Sequence, residues 1–180
     1  MMTCKEFFEK HSDNNEKCIA LQDEPSRLEW QSDTASKHSP SLVDDTEELC
    51  RQVFSPIHID IDNKKLNPTA LNDAYDKGLS VFRLLYADQK HIVQSGHIKA
   101  SSDNDAGKPH RDFVAITSMT ASEVRTIKNI EGKLGFAIYD TALEHEISHS
   151  DVCHVEKGKP SFRSIRSKLL EIVQKKLTLI

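Results

Sequence analysis

The sequence predicts an α+β fold: a small mixed or antiparallel sheet with short helices and an amphipathic C-terminal helix. Three observations carry this. Residues 79–86 (LSVFRLLY), 113–117 (FVAIT) and 134–139 (LGFAIY) are short apolar runs rich in β-branched and aromatic side chains, the composition of buried strands. Phe162, Ile165, Leu169, Ile172, Val173 and Leu177 recur at helical spacing after Pro160, with basic residues on the other side. Strands and short helices follow one another without regular βαβ spacing, which argues against a doubly wound parallel sheet.

Taken in order, residues 5–10 suit a short helix around Phe7 and Phe8, while 31–45 (QSDTASKHSPSLVDD) is a polar connection. Residues 1–45 read as a flexible N-terminal arm in which Ile19, Leu21, Leu28 and Trp30 are the side chains able to dock. A single domain, 46–180, should follow. Thr46 is placed to cap a helix over 47–54, with Leu49, Cys50 and Val53 inward and Pro56 ending it. Ile57, Ile59 and Ile61 then alternate with His58, Asp60 and Asp62, the period of a half-buried strand. Its wet face is an ordinary polar face or, alternatively, a divalent-ion site.

Asn67-Pro68 marks a turn and 69–76 a single helical turn before Gly78. Arg83 interrupts the strongest apolar run, so it needs either a buried carboxylate or an anion to grip. Residues 101–109 read as a polar loop. Thr120 and Glu123 have capping-box spacing and predict a helix over 121–127, and Gly132 ends the next connection.

The stretch 141–154 (TALEHEISHSDVCH) carries the one recognisable chemical motif. His145-Glu146-Ile147-Ser148-His149 spells HExxH, which on a helix puts both imidazoles on one face to hold zinc, with Glu146 as base for a metal-bound water. Composition alone yields such a match in roughly three of a hundred shuffled chains of this kind, so context has to support it. Thr141 and Glu144 repeat the capping-box spacing in favour of a helix. Against it, Leu143 and Ile147 are followed on that face by Asp151, and the third ligand would have to be His154, nine residues after His145, or Glu171. The extended alternative, with the imidazoles splayed apart, is the preferred reading. No cofactor is favoured, and zinc is the alternative.

The chain has 180 residues, 37% apolar content and a net charge of -4, which suits one domain with some sequence outside the core. Cys4, Cys18, Cys50 and Cys153 form no CxxC or paired framework, and the N-terminus lacks the apolar run of a signal peptide, so a cytoplasmic location is expected. No stretch approaches the roughly 20 apolar residues of a membrane span. Residues 157–180 hold seven basic side chains against Glu171, a net of +6 that leaves -10 on the rest. Nucleic acid is thereby disfavoured, with the basic C-terminal helix as the one route to it.

Arg51-Gln52 with Pro56, then Leu79-Ser80-Val81, then His149 with Asp151-Val152 ahead of a basic helix, resembles a pattern in small bacterial proteins of uncharacterised function, over residues 46–177. That resemblance implies convergence of Arg51, Ser80, Arg83 and His149 on one side, with 1–45 as an addition. The alternative is that these are ordinary capping and edge residues. Three functions follow. The favoured one is a small interaction or accessory protein, part of a bacterial multi-component system, that holds a protein partner with the arm or the basic helix. The second is a zinc hydrolase using His145, Glu146 and His149. The third is a nucleotide- or RNA-directed enzyme or toxin, with Arg51, Arg83 and His149 around a phosphate; the glycines form no phosphate loop.

Overall fold

Residue 48 opens a central strand of the protein, and the chain on either side of it supplies covers for the two sheet faces. The computed structural model describes residues 2–180. In chain order the elements are α1 (Cys4–Lys10), α2 (Lys17–Leu21), β1 (Glu48–Ser55), β2 (Ile59–Asp60), β3 (Lys65–Leu66), α3 (Asp73–Asp76), β4 (Leu79–Arg83), α4 (Gln89–Asp105), β5 (Asp112–Thr120), α5 (Ala121–Arg125), β6 (Phe136–Tyr139), β7 (His149–His154), α6 (Lys159–Lys175) and β8 (Thr178–Leu179). Six strands form one antiparallel sheet in the order β6-β7-β4-β1-β5-β8, and β2 and β3 form a separate hairpin. The fold is α+β, as the sequence predicts.

Strand pleating sends alternate side chains to opposite faces. On one face Leu49, Val53, Val81, Met119, Ile138 and Val152 meet Phe162, Ile165, Leu169 and Val173 of α6, the amphipathic helix read from the sequence. The opposite face has two covers. Over β1 and β5, α4 packs Ile92 and Ala100 near Cys50, Phe54 and Phe113. Gln52, buried beneath it, donates to the Ile92 carbonyl and the Ser95 hydroxyl, each at 2.8 Å. Over β6 and β7 lies the N-terminal segment, where Phe7, Phe8, Cys18, Leu21 and Trp30 enclose Ala137, Tyr139, Cys153 and Val155.

The segment expected as an arm is thus folded onto the sheet. Thr3 and Glu6 form a capping box that starts α1 and turns both phenylalanines inward. Trp30 sits in a short 3-10 helix, Glu29–Ser32, and the next residue, Gln31, accepts from the Ile138 N–H at 3.0 Å, covering the outer edge of β6.

Three other expectations are corrected. The stretch read as a helix over 47–54 is instead occupied by strand β1, Glu48–Ser55: the strand is central, both of its faces are covered, and buried Arg51 and Gln52 erase the polar alternation that would mark it. The 57–61 alternation belongs to a turn and a two-residue strand. His58 folds back so that its Nδ1 accepts from the Phe54 N–H at 3.3 Å, leaving Ile59 buried and Ile57 and Ile61 exposed. Residues 101–105 continue α4 instead of opening a loop. The Thr120–Glu123 capping box forms and starts α5 as read.

Candidate functional site

The HExxH stretch does not coil. After β6, Leu143 and Glu146 exchange backbone hydrogen bonds in a tight turn, and His149 begins β7. A helix here would need an apolar face to bury, and Leu143 and Ile147 both remain exposed, at 42% and 44%. His145 is exposed on that turn, so the one-turn spacing that would pair it with His149 is lost. Glu146 turns toward α4 instead: its carboxylate lies 2.6 Å from His91 Nε2 and accepts from the Ser148 hydroxyl at 2.5 Å. Burial alone would raise its pKa, but these hydrogen bonds outweigh burial and hold it below the ordinary range. His154, the proposed third ligand, lies on the opposite face of β7 from His149, against Tyr75, Phe136 and Phe162. Among the described residues no group of three or more His, Cys, Asp or Glu side chains is arranged to hold a metal ion.

What the strand does bring together is Lys17, Asp151, His149 and Thr141. Asp151 is fully buried and accepts from Lys17 Nζ at 2.7 Å, a bridge from α2 to the sheet. Burial would push Lys17 down and Asp151 up, yet their mutual attraction reverses both, so Lys17 is held above and Asp151 below the usual range. His149 Nε2 stands 3.8 Å from Asp151 Oδ1. Its Nδ1 lies 3.0 Å from both the hydroxyl and the carbonyl of Thr141. A carbonyl can only accept, so the proton is assigned to Nδ1 and the ring presents Nε2 toward the carboxylate. Gly78 is required beside it: a Cβ there would fall 2.8 Å from the Asp151 carboxyl carbon, and its φ of 90° suits glycine.

These groups floor a cleft of about 420 Å³. One wall is the N-terminal segment, with Phe8, Ser12 and Ser36; the other is the turn after β6, with Thr141, Leu143 and His145. The sequence reading singled out His149 but missed Lys17 and Asp151. Their partnership spans 134 positions, and only the Asp inside an apolar strand hinted that a cation had to be supplied.

The two arginines separate in role. Arg83 is fully buried, and its carboxylate partner is Glu47, which accepts from Nε at 2.7 Å and from Nη2 at 2.6 Å. Ser41 and Leu42 carbonyls and the Ser41 hydroxyl take further N–H groups, and Asp140 stands 3.5 Å from Nη1. With all three nitrogens engaged, Arg83 has nothing left for a phosphate, so the buried pair is its role. Burial raises the Asp140 carboxyl to about 6 despite that neighbour. Arg51 donates from Nη1 to the Ser80 carbonyl at 3.0 Å and from Nη2 to Asp73 at 3.2 Å, while its Nε has no partner. Arg51 and Ser80 therefore meet, whereas Arg83 and His149 belong to different constellations.

No helix among the described residues is long and apolar enough to cross a membrane. Comparison with family models, with curated proteins and with solved structures gives no match for this chain.

Proposed function

We propose that this chain is a small interaction protein that receives a polar segment of a protein partner in the cleft between its N-terminal segment and the turn after β6. One observation supports this above the others: two stretches far apart in sequence build the cleft jointly and are joined at its floor by the Lys17–Asp151 pair. Its size falls in the range of about 300–1,000 Å³ usual for ligand sites. Its walls mix apolar surface from Phe8 and Leu143 with donors from Lys17, Lys37, His38 and His145. Such a surface suits an extended peptide carrying a carboxylate or carbonyl acceptor, with the spare N–H groups of Lys17 as its receptors, while His149 Nε2 can accept from a peptide N–H or hydroxyl. A bacterial, cytoplasmic setting, as one component of a larger assembly, belongs to the same reading.

The test uses the full chain, tagged and purified from its own cells, with any recovered partner then purified and titrated. Ser12 is exposed on the cleft wall, so Ser12→Trp narrows the cleft without entering the core. It should weaken binding about tenfold or more, equivalent to about 1.4 kcal/mol. Lys90→Gln, on the exposed side of α4, should leave affinity unchanged. Equal affinity for wild type and Ser12→Trp would remove the cleft from the function.

A further inference from the structure

Four nitrogen-bearing side chains gather at the end of the sheet where β1 runs out and β5 begins. They are Arg51 on β1, His58 in the turn after it, Lys99 on α4 and Arg111 just before β5. The main sheet opens here, because β1 pairs with β4 only through Leu49 and Cys50. Arg51 fills the gap, bridging to the Ser80 carbonyl and Asp73. Phe54 connects two of the others. Its ring lies 4.7 Å from the Arg111 guanidinium and 5.7 Å from the His58 ring, and its N–H donates to His58 Nδ1 at 3.3 Å. Because Nδ1 accepts, neutral His58 carries its proton on Nε2 and offers it as a donor.

Several donors in this group are unspent. The Arg51 side chain is 8% exposed and its Nε has no partner; Arg111 Nε is likewise buried and unpartnered. Lys99 makes no ion pair or side-chain hydrogen bond among the described residues, whereas Asp73 serves Arg51 and Asp103 serves Lys108 and Arg111. Arg51, Arg111 and Lys108 thus share the two carboxylates Asp73 and Asp103, and Lys99 is left without one. Their like charges act on one another's protonation. Desolvation by its surroundings, and next the like charges of Arg51 and Arg111, hold Lys99 below the usual lysine range, although the residue as a whole is exposed. Burial, and next the Arg51 charge, bring His58 down to about 4.

We propose that this cluster binds a small phosphoryl anion, such as a phosphate monoester or the diphosphate of a small molecule. Tetrahedral oxygens accept from several directions at once, which matches guanidinium, ammonium and imidazole donors arriving from four segments of chain. The site is separate from the cleft and does not depend on it. A small anion fits better than a nucleic-acid strand, since Arg51 is sunken and the chain as a whole is acidic, at -4.

The full chain is titrated with sodium diphosphate and with inorganic phosphate, against chloride at matched ionic strength, by heat of binding and by melting temperature. Saturable one-site binding is expected, tighter for diphosphate. Lys99→Gln should weaken it tenfold or more, while Lys90→Gln, nine residues earlier on the same helix, should not. Arg51→Lys keeps the buried charge but not the fork, which guards against misfolding, and should also weaken binding tenfold or more. The proposal is overturned if neither anion saturates, or if the two lysine variants behave alike. It is equally overturned if single-stranded RNA binds more tightly than diphosphate and responds equally to both lysine variants.

Discussion

His154 shows how a single side chain can set the response to acid. Its ring is fully buried among three aromatic rings, and that burial brings its pKa down to about 4. A histidine free in the unfolded chain titrates near 6.5. Between those values the unfolded state binds more protons, so stability is complete above about pH 6.5 and is lost as pH falls through about 4, by roughly 3 kcal/mol for such a shift. His58 works in the same direction. Asp140 opposes them: raised to about 6, it favours the fold below about pH 4, and that contribution is lost as pH rises through 6. Two groups outweigh one, so the protein should weaken on acidification from pH 6.5 to 4. Replacing the ring by a hydrocarbon of similar shape, His154→Phe, should flatten that dependence. Urea midpoints at several pH values would check it, and an unchanged slope would assign the acid response elsewhere.

At the scale of elements, α4 depends on a close approach. A Cβ at Gly96 would fall 2.7 Å from the Phe113 ring, so Gly96→Ala forces the helix off the sheet. Alanine's helix preference is worth about 1 kcal/mol in its favour, and overpacking costs about 1–3 kcal/mol. The variant should therefore be destabilised by about 1 kcal/mol in urea unfolding; a gain in stability would mean that the contact is loose. The same feature explains why α4 was not legible in the sequence. Its inward residues are Ile92, Gly96, Ala100 and Asp103, a single large apolar side chain followed by two small residues and a carboxylate, which leaves no apolar stripe to recognise. By contrast α6, with Phe162, Ile165, Leu169 and Val173 inward and basic residues outward, could be read directly. The Thr120–Glu123 capping box was legible because its signal is local, whereas the identical spacing at Thr141 and Glu144 had no buried face to support it. Of the cleft, His145 and His149 were singled out beforehand, though as zinc ligands. Lys17 becomes meaningful once Asp151 is placed beneath it, and no local pattern encodes that placement.

For the molecule as a whole, the N-terminal segment is part of the core. Removing residues 1–45 would bare Ala137, Tyr139, Cys153 and Val155 and strip Asp151 of its ammonium. The truncated chain should bind a hydrophobic dye and elute as aggregate in gel filtration; a soluble, dye-silent monomer would show that the segment is dispensable. Arg83 binds the halves together more tightly still, since its acceptors come from Ser41, Leu42 and Glu47 and a second carboxylate, Asp140, stands beside it. A partly assembled chain would hold a guanidinium stripped of water and short of acceptors, a state high in free energy. Melting should then be all-or-none, the strap around position 41 and the far edge of the sheet giving way in one step instead of peeling in sequence.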